Sequence, residues 1–286
     1  MRPIIVGDPT DSHVDHVLAR YAELGRPAPL LVDAPSVMHG NYALTLDEVA
    51  LDDVRVELVS PARGWLRRYA PSMWGAGLRA GSLEAVSLNA FLALIGSVSR
   101  LGSVEWLTPV DRMLAGEDRL YQLDVARRLG VRVPRTIVTS RATAAVAELG
   151  PTFIVKPLAG GYYLGDEGPR AVFSSQLAAQ EALSLDFSAA PFVAQEVIRA
   201  KTHLRVVTVG SDAWVASLSA DDRPLDWRQQ EEAHSEWRPV RDIAIAQQAV
   251  QIAAALGVGY SSQDWIVDDA GATFVDLNPG GEPPRV

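Results

Sequence analysis

The chain contains no cysteine, and it has no apolar run that is long and free of charge. Without cysteine, disulfides, thiolate nucleophiles and zinc sites built on cysteine are all excluded. The longest apolar helix candidate, residues 81–101, includes Glu84 and Arg100, which favours a buried helix over a membrane span. The N-terminal apolar run is too short for a signal peptide. These absences predict a cytoplasmic protein with no membrane partner.

Positive charge is also in deficit. The 286 residues include 26 Lys and Arg against 35 Asp and Glu, for a net charge of −9. Binding to a nucleic-acid backbone needs clustered basic residues, so nucleic acid is not expected as a partner. The length predicts about two domains.

The N-terminal third alternates strand and helix signals. Residues 3–6 and 29–33 are short buried runs, and between them residues 13–24 have helical spacing that ends at Gly25. A β-α-β start favours a parallel sheet with helices on its faces. Residues 44–58 fit one strand or two. Gly7-Asp8 is not a glycine-rich dinucleotide fingerprint, so no Rossmann cofactor site is predicted.

A basic and aromatic cluster follows this β-α-β start. Guanidinium groups could bind a peptide or substrate carboxylate there, while aromatic packing with solvated arginines is the alternative. The cluster comprises Arg63, Trp65, Arg67, Arg68, Tyr69, Trp74 and Arg79.

The last strand pair, residues 262–278, carries a candidate metal site. Asp269-Ala270-Gly271 is predicted to form the hairpin loop, with a positive φ at Gly271. Pairing Asp268 with Ala272 then places Asp264 opposite Asp276, with Asn278 on the same face. Two carboxylates and an amide oxygen suit Mg²⁺, whereas two solvated acids at a sheet edge are the alternative.

Two further stretches carry basic groups. Residues 153–156 form a strand that ends in Lys156 before Pro157, Gly160 and Gly161, so the lysine is a candidate phosphate ligand, although it could equally extend into water. The spacing of a Walker A loop is absent. Lys201, His203 and Arg205 alternate on one strand and therefore share a face, which favours an anion there. Residues 176–185 are predicted to be helical.

Residues 221–238 form a polar stretch that contains Asp226-Trp227-Arg228 and His234. Its length favours a lid or a substrate-binding loop over a simple connection.

In this order, the segments from residue 106 to residue 281 resemble the ATP-grasp fold, and more narrowly the RimK-type ligases and the graspetide (microviridin-type) peptide maturases. The stretches that carry the resemblance are residues 119–136, Gln195-Glu196-Val197-Ile198, Leu204-Arg205-Val206-Val207, Asp226-Trp227-Arg228 and residues 260–267. The resemblance implies an α/β (α+β) fold. An N-terminal α/β pre-ATP-grasp domain would span residues 1–110, and central and C-terminal ATP-grasp subdomains would span 111–187 and 188–286.

The resemblance also implies roles for individual residues. Lys156 would hold ATP phosphates, Arg205 would stabilise charge on the transferred phosphoryl group, and Arg228 would position the substrate carboxylate. Mg²⁺ would be held by Asp264, Asp276 and Asn278. The implied nucleotide site further includes Arg119, Gln195, Glu196, Val197, Ile198 and Lys201, and the implied substrate contacts are Arg67, Arg68, Asp226 and His234.

The implied reaction joins a peptide or small-molecule carboxylate to an amine or hydroxyl through an acyl phosphate, with macrocyclisation of a ribosomal peptide as its specific form. A RimK-like amino acid ligase and a catalytically weakened nucleotide-binding module are the alternatives. The sequence leaves a homodimer open. His234 could act as a base or be merely solvated.

Three residues depart from the family pattern. Arg119 stands where a phosphate-binding lysine is usual, Asp276 where glutamate is usual, and His203 where an acid is usual. Arginine keeps the charge but changes the geometry, and Asp276 is one methylene shorter.

Overall fold

The structure is a computed structural model. It describes residues 2–33, 40–58, 62–68, 78–79, 81–158, 162–165, 168–171, 174–188, 190–221, 223–225, 227–230 and 232–280. The chain divides into two compact units. The first unit comprises Met1–Glu117, Ala253–Ser262 and Asn278–Val286, and the second comprises Asp118–Ile252 and Gln263–Leu277.

The first unit is built on a four-stranded parallel sheet. Strand β1 (Ile4–Val6) pairs with β2 (Leu30–Val32) and β6 (Ala62–Leu66), and β6 also pairs with β7 (Val104–Trp106). Helix α1 (Ser12–Glu23) connects β1 to β2, which confirms the predicted β-α-β start. The core of this unit is aliphatic, with Ile4, Leu66 and Ile95 among its fully buried members.

Helix α2 (Leu83–Val98) and helix α3 (Val110–Gly116) complete the described helices of the first unit's N-terminal part. Ser82 caps α2 by accepting a hydrogen bond from the backbone N–H of Ala85 at 3.2 Å. The region 42–57 forms a three-stranded antiparallel meander rather than one strand or two. Its strands are β3 (Tyr42–Leu44), β4 (Glu48–Leu51) and β5 (Val54–Glu57).

In the second unit, four antiparallel strands form a sheet in the order β12-β9-β13-β8. Their bounds are β8 (Thr136–Thr139), β9 (Thr152–Pro157), β12 (Ser175–Ala178) and β13 (Phe192–Glu196). Helices α5 (Ala142–Leu149) and α6 (Ala179–Ser184) pack against one face of this sheet, where Phe153, Phe192 and Ala194 are buried. A separate hairpin pairs β10 (Tyr162–Gly165) with β11 (Gly168–Ala171).

The predicted helix over residues 176–185 is partly wrong. Residues 175–178 instead form β12, which pairs with β9 so that Gln176 lies opposite Ile154. The helix starts only at Ala179, where the backbone is no longer paired with β9. Pairing with a distant strand outweighs the local helical signal here.

A five-stranded sheet has the order β16-β15-β14-β17-β18. The strands are β14 (Thr202–Val209), β15 (Asp212–Ser219), β16 (Arg238–Val240), β17 (Tyr260–Asp268) and β18 (Gly271–Asn278), with helix α7 (Ile243–Leu256) between β16 and β17. Gly271 has a φ of 113°, which confirms the predicted positive φ at the β17–β18 turn. The Asp268 carboxylate accepts a hydrogen bond from the backbone N–H of Ala270 at 2.9 Å and so closes this turn.

Helix α4 (Arg119–Arg128) is joined to β18 by the amide of Gln122. Its Nε2 donates to the carbonyl of Leu277 at 2.6 Å, and its Oε1 accepts from the Leu277 N–H at 2.9 Å. Asp118 caps α4 by accepting a hydrogen bond from the N–H of Tyr121 at 2.9 Å, so this helix begins at Arg119. In the part of the chain that the structure describes, no helix is both long and apolar enough to cross a membrane.

Candidate active site

Lys156 and Gln195 lie on the same face of the β12-β9-β13-β8 sheet. In the antiparallel register Lys156 lies opposite Val193, and Gln195 lies opposite Ile154 and Thr136. Residues that alternate along paired strands share a face, so both polar side chains project away from helices α5 and α6. The Gln195 amide is buried and donates to Oγ1 of Thr136 at 3.0 Å. One face of this sheet therefore presents two of the predicted polar nucleotide contacts, Lys156 and Gln195.

Glu196, at the end of β13, is engaged by Arg135. Its carboxylate accepts from the backbone N–H of Arg135 at 2.9 Å and from its Nε at 3.0 Å. Burial raises the pKa of Glu196, but the hydrogen bonds from Arg135 and the charges of Arg135 and Arg132 outweigh it, so that the net pKa is lowered. The Glu196 N–H also donates to the Arg135 carbonyl. These bonds engage the Glu196 side chain and its N–H, while contacts of Glu196, Val197 and Ile198 to an adenine remain predictions.

Arg205 and Asp264 form an ion pair across neighbouring strands β14 and β17. Nη1 of Arg205 lies 2.9 Å from Oδ1 of Asp264, and the two side chains are 15% and 21% exposed. The Arg205 guanidinium carbon also lies 5.7 Å from the centre of the Trp227 ring. The pair is thus mostly shielded from water yet still reachable by a ligand.

Arg119, the first residue of α4, connects two strands of the second unit. Its Nη1 donates to the carbonyl of Pro157 at the end of β9, and its Nε lies 3.7 Å from Oδ1 of Asp276 on β18. A guanidinium fork can serve two acceptors in different directions, which a lysine ammonium on a flexible stem does less well. The arginine that stands in place of the usual lysine therefore links the strand of Lys156 to the strand of Asp276.

The donor set of Asp264 and Asp276 fits a magnesium ion. Both are partly exposed carboxylates on adjacent strands, and each faces an arginine that offsets its charge. Mg²⁺ is usually held by one or two protein carboxylates together with substrate phosphates. Among the described residues, no three His, Cys, Asp or Glu side chains are grouped as a metal site. The Oδ1 of Asn278, the third predicted ligand, accepts from the N–H of Gly280 at 3.0 Å.

Comparison with known proteins finds similarity in three-dimensional structure. No family model matches the chain, and no curated protein matches it either. The macrocyclase MdnC from Microcystis aeruginosa MRC, solved with its precursor peptide MdnA, superposes with a TM-score of 0.79 at 21% identity, covering 99% of this chain and 92% of that chain. The ATP-grasp ligase PsnB, solved with a phosphomimetic variant of its minimal precursor, Mg and ADP, gives a TM-score of 0.75 at 19% identity, covering 99% and 90%.

The chain has the ATP-grasp fold. This confirms the fold class predicted from the sequence. A RimK-domain ATP-grasp protein from Sphaerobacter thermophilus also matches, with a TM-score of 0.58 at 16% identity, covering 97% of this chain and 90% of that chain. Fold similarity extends over the whole chain, including the first 105 residues, which the sequence motifs did not cover.

Lys201 belongs to the second unit of the chain. Its ammonium contacts the carboxylate of Asp269 in the β17–β18 turn, and both side chains are exposed. The hydrogen bond and charge of Asp269 raise the pKa of Lys201. A nucleotide contact by Lys201 remains a prediction. His203 lies opposite Leu218, and Arg205 lies opposite Ala216, so these two alternate residues share one face of β14, as predicted.

Arg67 in the ATP-grasp chain's first unit has an internal role. Its side chain is 1% exposed, and its Nη2 and Nε lie 2.8 and 3.2 Å from the two oxygens of Asp11, while Nη2 also donates to Nδ1 of His13 at 3.1 Å. These contacts engage Arg67 within the first unit, and a substrate contact by Arg67 remains a prediction. The Arg68 side chain is 17% exposed, and its Nε lies 3.7 Å from Asp11, so a substrate contact by Arg68 remains a prediction.

The remaining predicted residues are placed only in part. Arg228 and His234 lie in short 3₁₀ turns, Trp227–Gln229 and Glu232–Ser235. The structure describes the backbone of these two residues but not their side chains. Asp226, Gly160, Gly161, Tyr69 and Trp74 also lie outside them. Trp227, the neighbour of Arg205, was not singled out from the sequence as a site residue, although it stands in the motif Asp226-Trp227-Arg228.

Proposed function

We propose that the protein is an ATP-dependent ligase that activates a carboxylate of a ribosomal peptide and joins it to an amine or hydroxyl of the same peptide. The observation that supports this most strongly is the pair of arginine–carboxylate contacts in the second unit, Arg205 with Asp264 and Arg119 with Asp276. They supply cations and oxygen ligands on adjacent strands of a fold that MdnC and PsnB share. Phosphoryl transfer depends on this kind of positioned charge more than on covalent catalysis by the protein.

In the first step, an oxygen of the substrate carboxylate attacks the γ-phosphorus of ATP, and the bond to the β–γ bridging oxygen breaks. ADP leaves, and the substrate carries an acyl phosphate. Lys156, on the face of its sheet that is turned away from helices α5 and α6, would bind ATP phosphate oxygens, and Gln195 on the same face would bind the nucleotide. Arg205 would donate to the oxygens of the transferred phosphoryl group, where charge is concentrated in the transition state.

In the second step, a substrate amine or hydroxyl attacks the acyl carbon and the phosphate leaves, forming an amide or an ester. The proton lost by the nucleophile must be accepted at this point, and His234 is the proposed base. Arg228 would hold the carboxylate during the first step through a bidentate contact.

Mg²⁺, when bound, would supply positive charge to the phosphates. Asp264 and Asp276 would hold it, with Asn278 as the predicted third oxygen ligand. Arg119 would hold the strand that carries Lys156 and the strand that carries Asp276 in place relative to each other.

Titration calorimetry with Mg·ADP tests the site without any knowledge of the peptide. Asp264→Asn and Asp276→Asn should each weaken Mg·ADP binding by about tenfold or more, since each removes a charged magnesium ligand. Asp124→Asn is the matched control, because Asp124 is a similarly exposed acid that pairs with Arg127 and Arg128 on α4. Equal affinities in all three variants and the parent protein would refute the assigned metal site.

A RimK-like ligase that adds a free amino acid is the second candidate, favoured by the similarity to the RimK-domain protein. The two ligases differ in the mass change of their product. Macrocyclisation removes one water for each bond formed, whereas an amino acid ligase adds one residue. A nucleotide-binding module without ligase activity would bind Mg·ADP and change no peptide.

A further inference from the structure

Trp227 contacts the proposed catalytic arginine but has no role in the two chemical steps. The guanidinium carbon of Arg205 lies 5.7 Å from the centre of the Trp227 ring, within the range of a cation–π contact. The Trp227 side chain is almost completely buried, with 5% of its surface exposed. Because little water reaches the ring, attraction between its face and the guanidinium is weakly screened.

The position of the Trp227 ring is fixed by its own neighbours. Trp227 and Trp237 stack edge to face, with ring centres 5.1 Å apart and an interplanar angle of 74°. Leu218 and Ala233 are buried in the same cluster. Trp227, Ala233 and Trp237 lie in the predicted substrate loop, residues 221–238, and Leu218 lies on β15, so a small apolar cluster anchors this loop.

Arg205 is held by two partners that act in different directions. A guanidinium donates hydrogen bonds in its plane and meets an aromatic ring with its face. Oδ1 of Asp264 accepts from Nη1 of Arg205 at 2.9 Å, and the centre of the Trp227 ring lies 5.7 Å from the guanidinium carbon. Asp264 is also a proposed magnesium ligand, so its bond to Arg205 can change when nucleotide binds. The cation–π contact between Arg205 and Trp227 does not compete with the metal.

We propose that Trp227 is a positioning residue that holds the guanidinium of Arg205 in place for phosphoryl transfer while Asp264 turns to the metal. This inference rests on the proposed function and adds a residue to it. Arg228 follows Trp227 directly in the chain, so the same anchor ties the residue proposed to hold the substrate carboxylate to the residue proposed to stabilise the phosphoryl group.

The test compares Trp227→Leu with Trp227→Phe in steady-state ADP formation, using the peptide that the parent protein modifies. Trp227→Leu should lower kcat by about tenfold and leave KM for Mg·ATP within about twofold, because only the transition state is affected. Trp227→Phe, which keeps an aromatic face, should recover most of kcat. Mg·ADP affinity, measured by calorimetry, should be equal in both variants and the parent.

Trp237→Leu is the matched control. It removes an indole from the same cluster but keeps the Trp227 indole, which Leu218 and Ala233 still pack against. Its kcat should stay within about threefold of the parent, even where its melting temperature falls as far as that of Trp227→Leu. This control separates loss of packing from loss of arginine positioning.

Three outcomes would overturn the inference. If Trp227→Leu keeps the parent kcat while Arg205→Ala loses activity, the proposed function stands and the positioning role is wrong. If Trp227→Phe and Trp237→Leu are both as slow as Trp227→Leu, the cluster acts through folding alone. A parent protein that neither binds Mg·ADP nor consumes ATP would refute the proposed function and, with it, this inference.

Discussion

The arginine–aspartate pair in the first unit, Arg67 with Asp11, and the pair in the second unit, Arg205 with Asp264, differ in their surroundings. Arg67 and Asp11, in the first unit, are 1% and 2% exposed, and two nitrogens of the guanidinium meet both carboxylate oxygens. Arg205 and Asp264, in the second unit, are 15% and 21% exposed, and Nη1 of Arg205 lies 2.9 Å from Oδ1 of Asp264. Asp11 also caps helix α1 by accepting from the N–H of His13 at 2.9 Å.

The difference in burial distinguishes a structural ion pair, Arg67–Asp11, from a proposed catalytic one, Arg205–Asp264. Arg67 and Asp11 use their charges on each other, and exchange of either partner for a ligand would leave a buried charge uncompensated. Arg205 and Asp264 can exchange partners at lower cost because water and ligands reach them. The Arg205–Asp264 pair is therefore a candidate catalytic pair, and the Arg67–Asp11 pair is a structural one. The following predictions test that division.

The largest effect is expected at the buried pair. Arg67→Ala should lower the free energy of unfolding by about 3–5 kcal/mol, because it leaves the Asp11 carboxylate buried without its cation. Chemical denaturation measures this directly. Arg63→Ala is the control, since Arg63 and Glu105 form a pair that is 71% and 58% exposed, and it should cost at most about 1 kcal/mol. Similar losses in the two variants would show that burial does not distinguish the pairs.

Arg205→Ala should have the opposite profile. It should reduce kcat for ADP formation by about 10²–10³-fold, which corresponds to ~3–4 kcal/mol of transition-state stabilisation, by analogy with the removal of a preorganised donor. Its unfolding free energy should fall by less than that of Arg67→Ala. Arg205→Lys keeps the charge without the fork and should recover only part of the rate. A fully active Arg205→Ala protein would contradict the catalytic assignment.

A smaller effect is expected at the amide that joins α4 to β18. Gln122→Leu should lower the unfolding free energy by about 2 kcal/mol, because the N–H and carbonyl of Leu277 both lose their side-chain partner in a buried position. Gln251→Leu, at an exposed position of α7, is the control and should change stability little. Mg·ADP affinity should also fall in Gln122→Leu, since Asp276 precedes Leu277 on the same strand. Unchanged stability would mean that this contact contributes nothing.

The smallest effect is a pH dependence at His13. Burial, followed by the charge of Arg67, lowers its pKa, against the opposing influence of Asp11. A His whose folded-state pKa is lowered contributes stability that is present above its unfolded pKa of about 6.5 and is lost as the pH falls through that value, until the folded pKa is reached. Denaturation curves from about pH 8 to about pH 5 should show this decline. His13→Gln should flatten it, and an equally steep decline in His13→Gln would assign it to another group.

Local patterns predicted much of this fold. The β-α-β start, the positive φ of Gly271 and the alternation of His203 and Arg205 all follow from near neighbours in the chain. The strand at residues 175–178 could not be found in this way, because its partner β9 lies some twenty residues earlier and local propensity favoured a helix.

The site was predicted as residue types but not as contacts. Nothing in the sequence near Arg67 shows that it is buried against Asp11, which lies 56 positions away. In the same way, Trp227 and Arg205 are in contact although the rest of β14, all of β15 and the following turn separate them along the sequence. Charge and spacing identified Arg205, Asp264 and Asp276 as functional candidates, whereas only the folded chain shows which arginine each acid faces.

The central claim is that the chain forms bonds within a ribosomal peptide. The most direct test is the intact mass of each short acidic peptide encoded beside its gene, measured after incubation with the protein, ATP and Mg²⁺. The account predicts the loss of one water for each bond formed, and no loss with Arg205→Ala. Peptide masses that stay unchanged while the protein binds Mg·ADP, or that increase by one amino acid residue when amino acids are supplied, would contradict macrocyclisation.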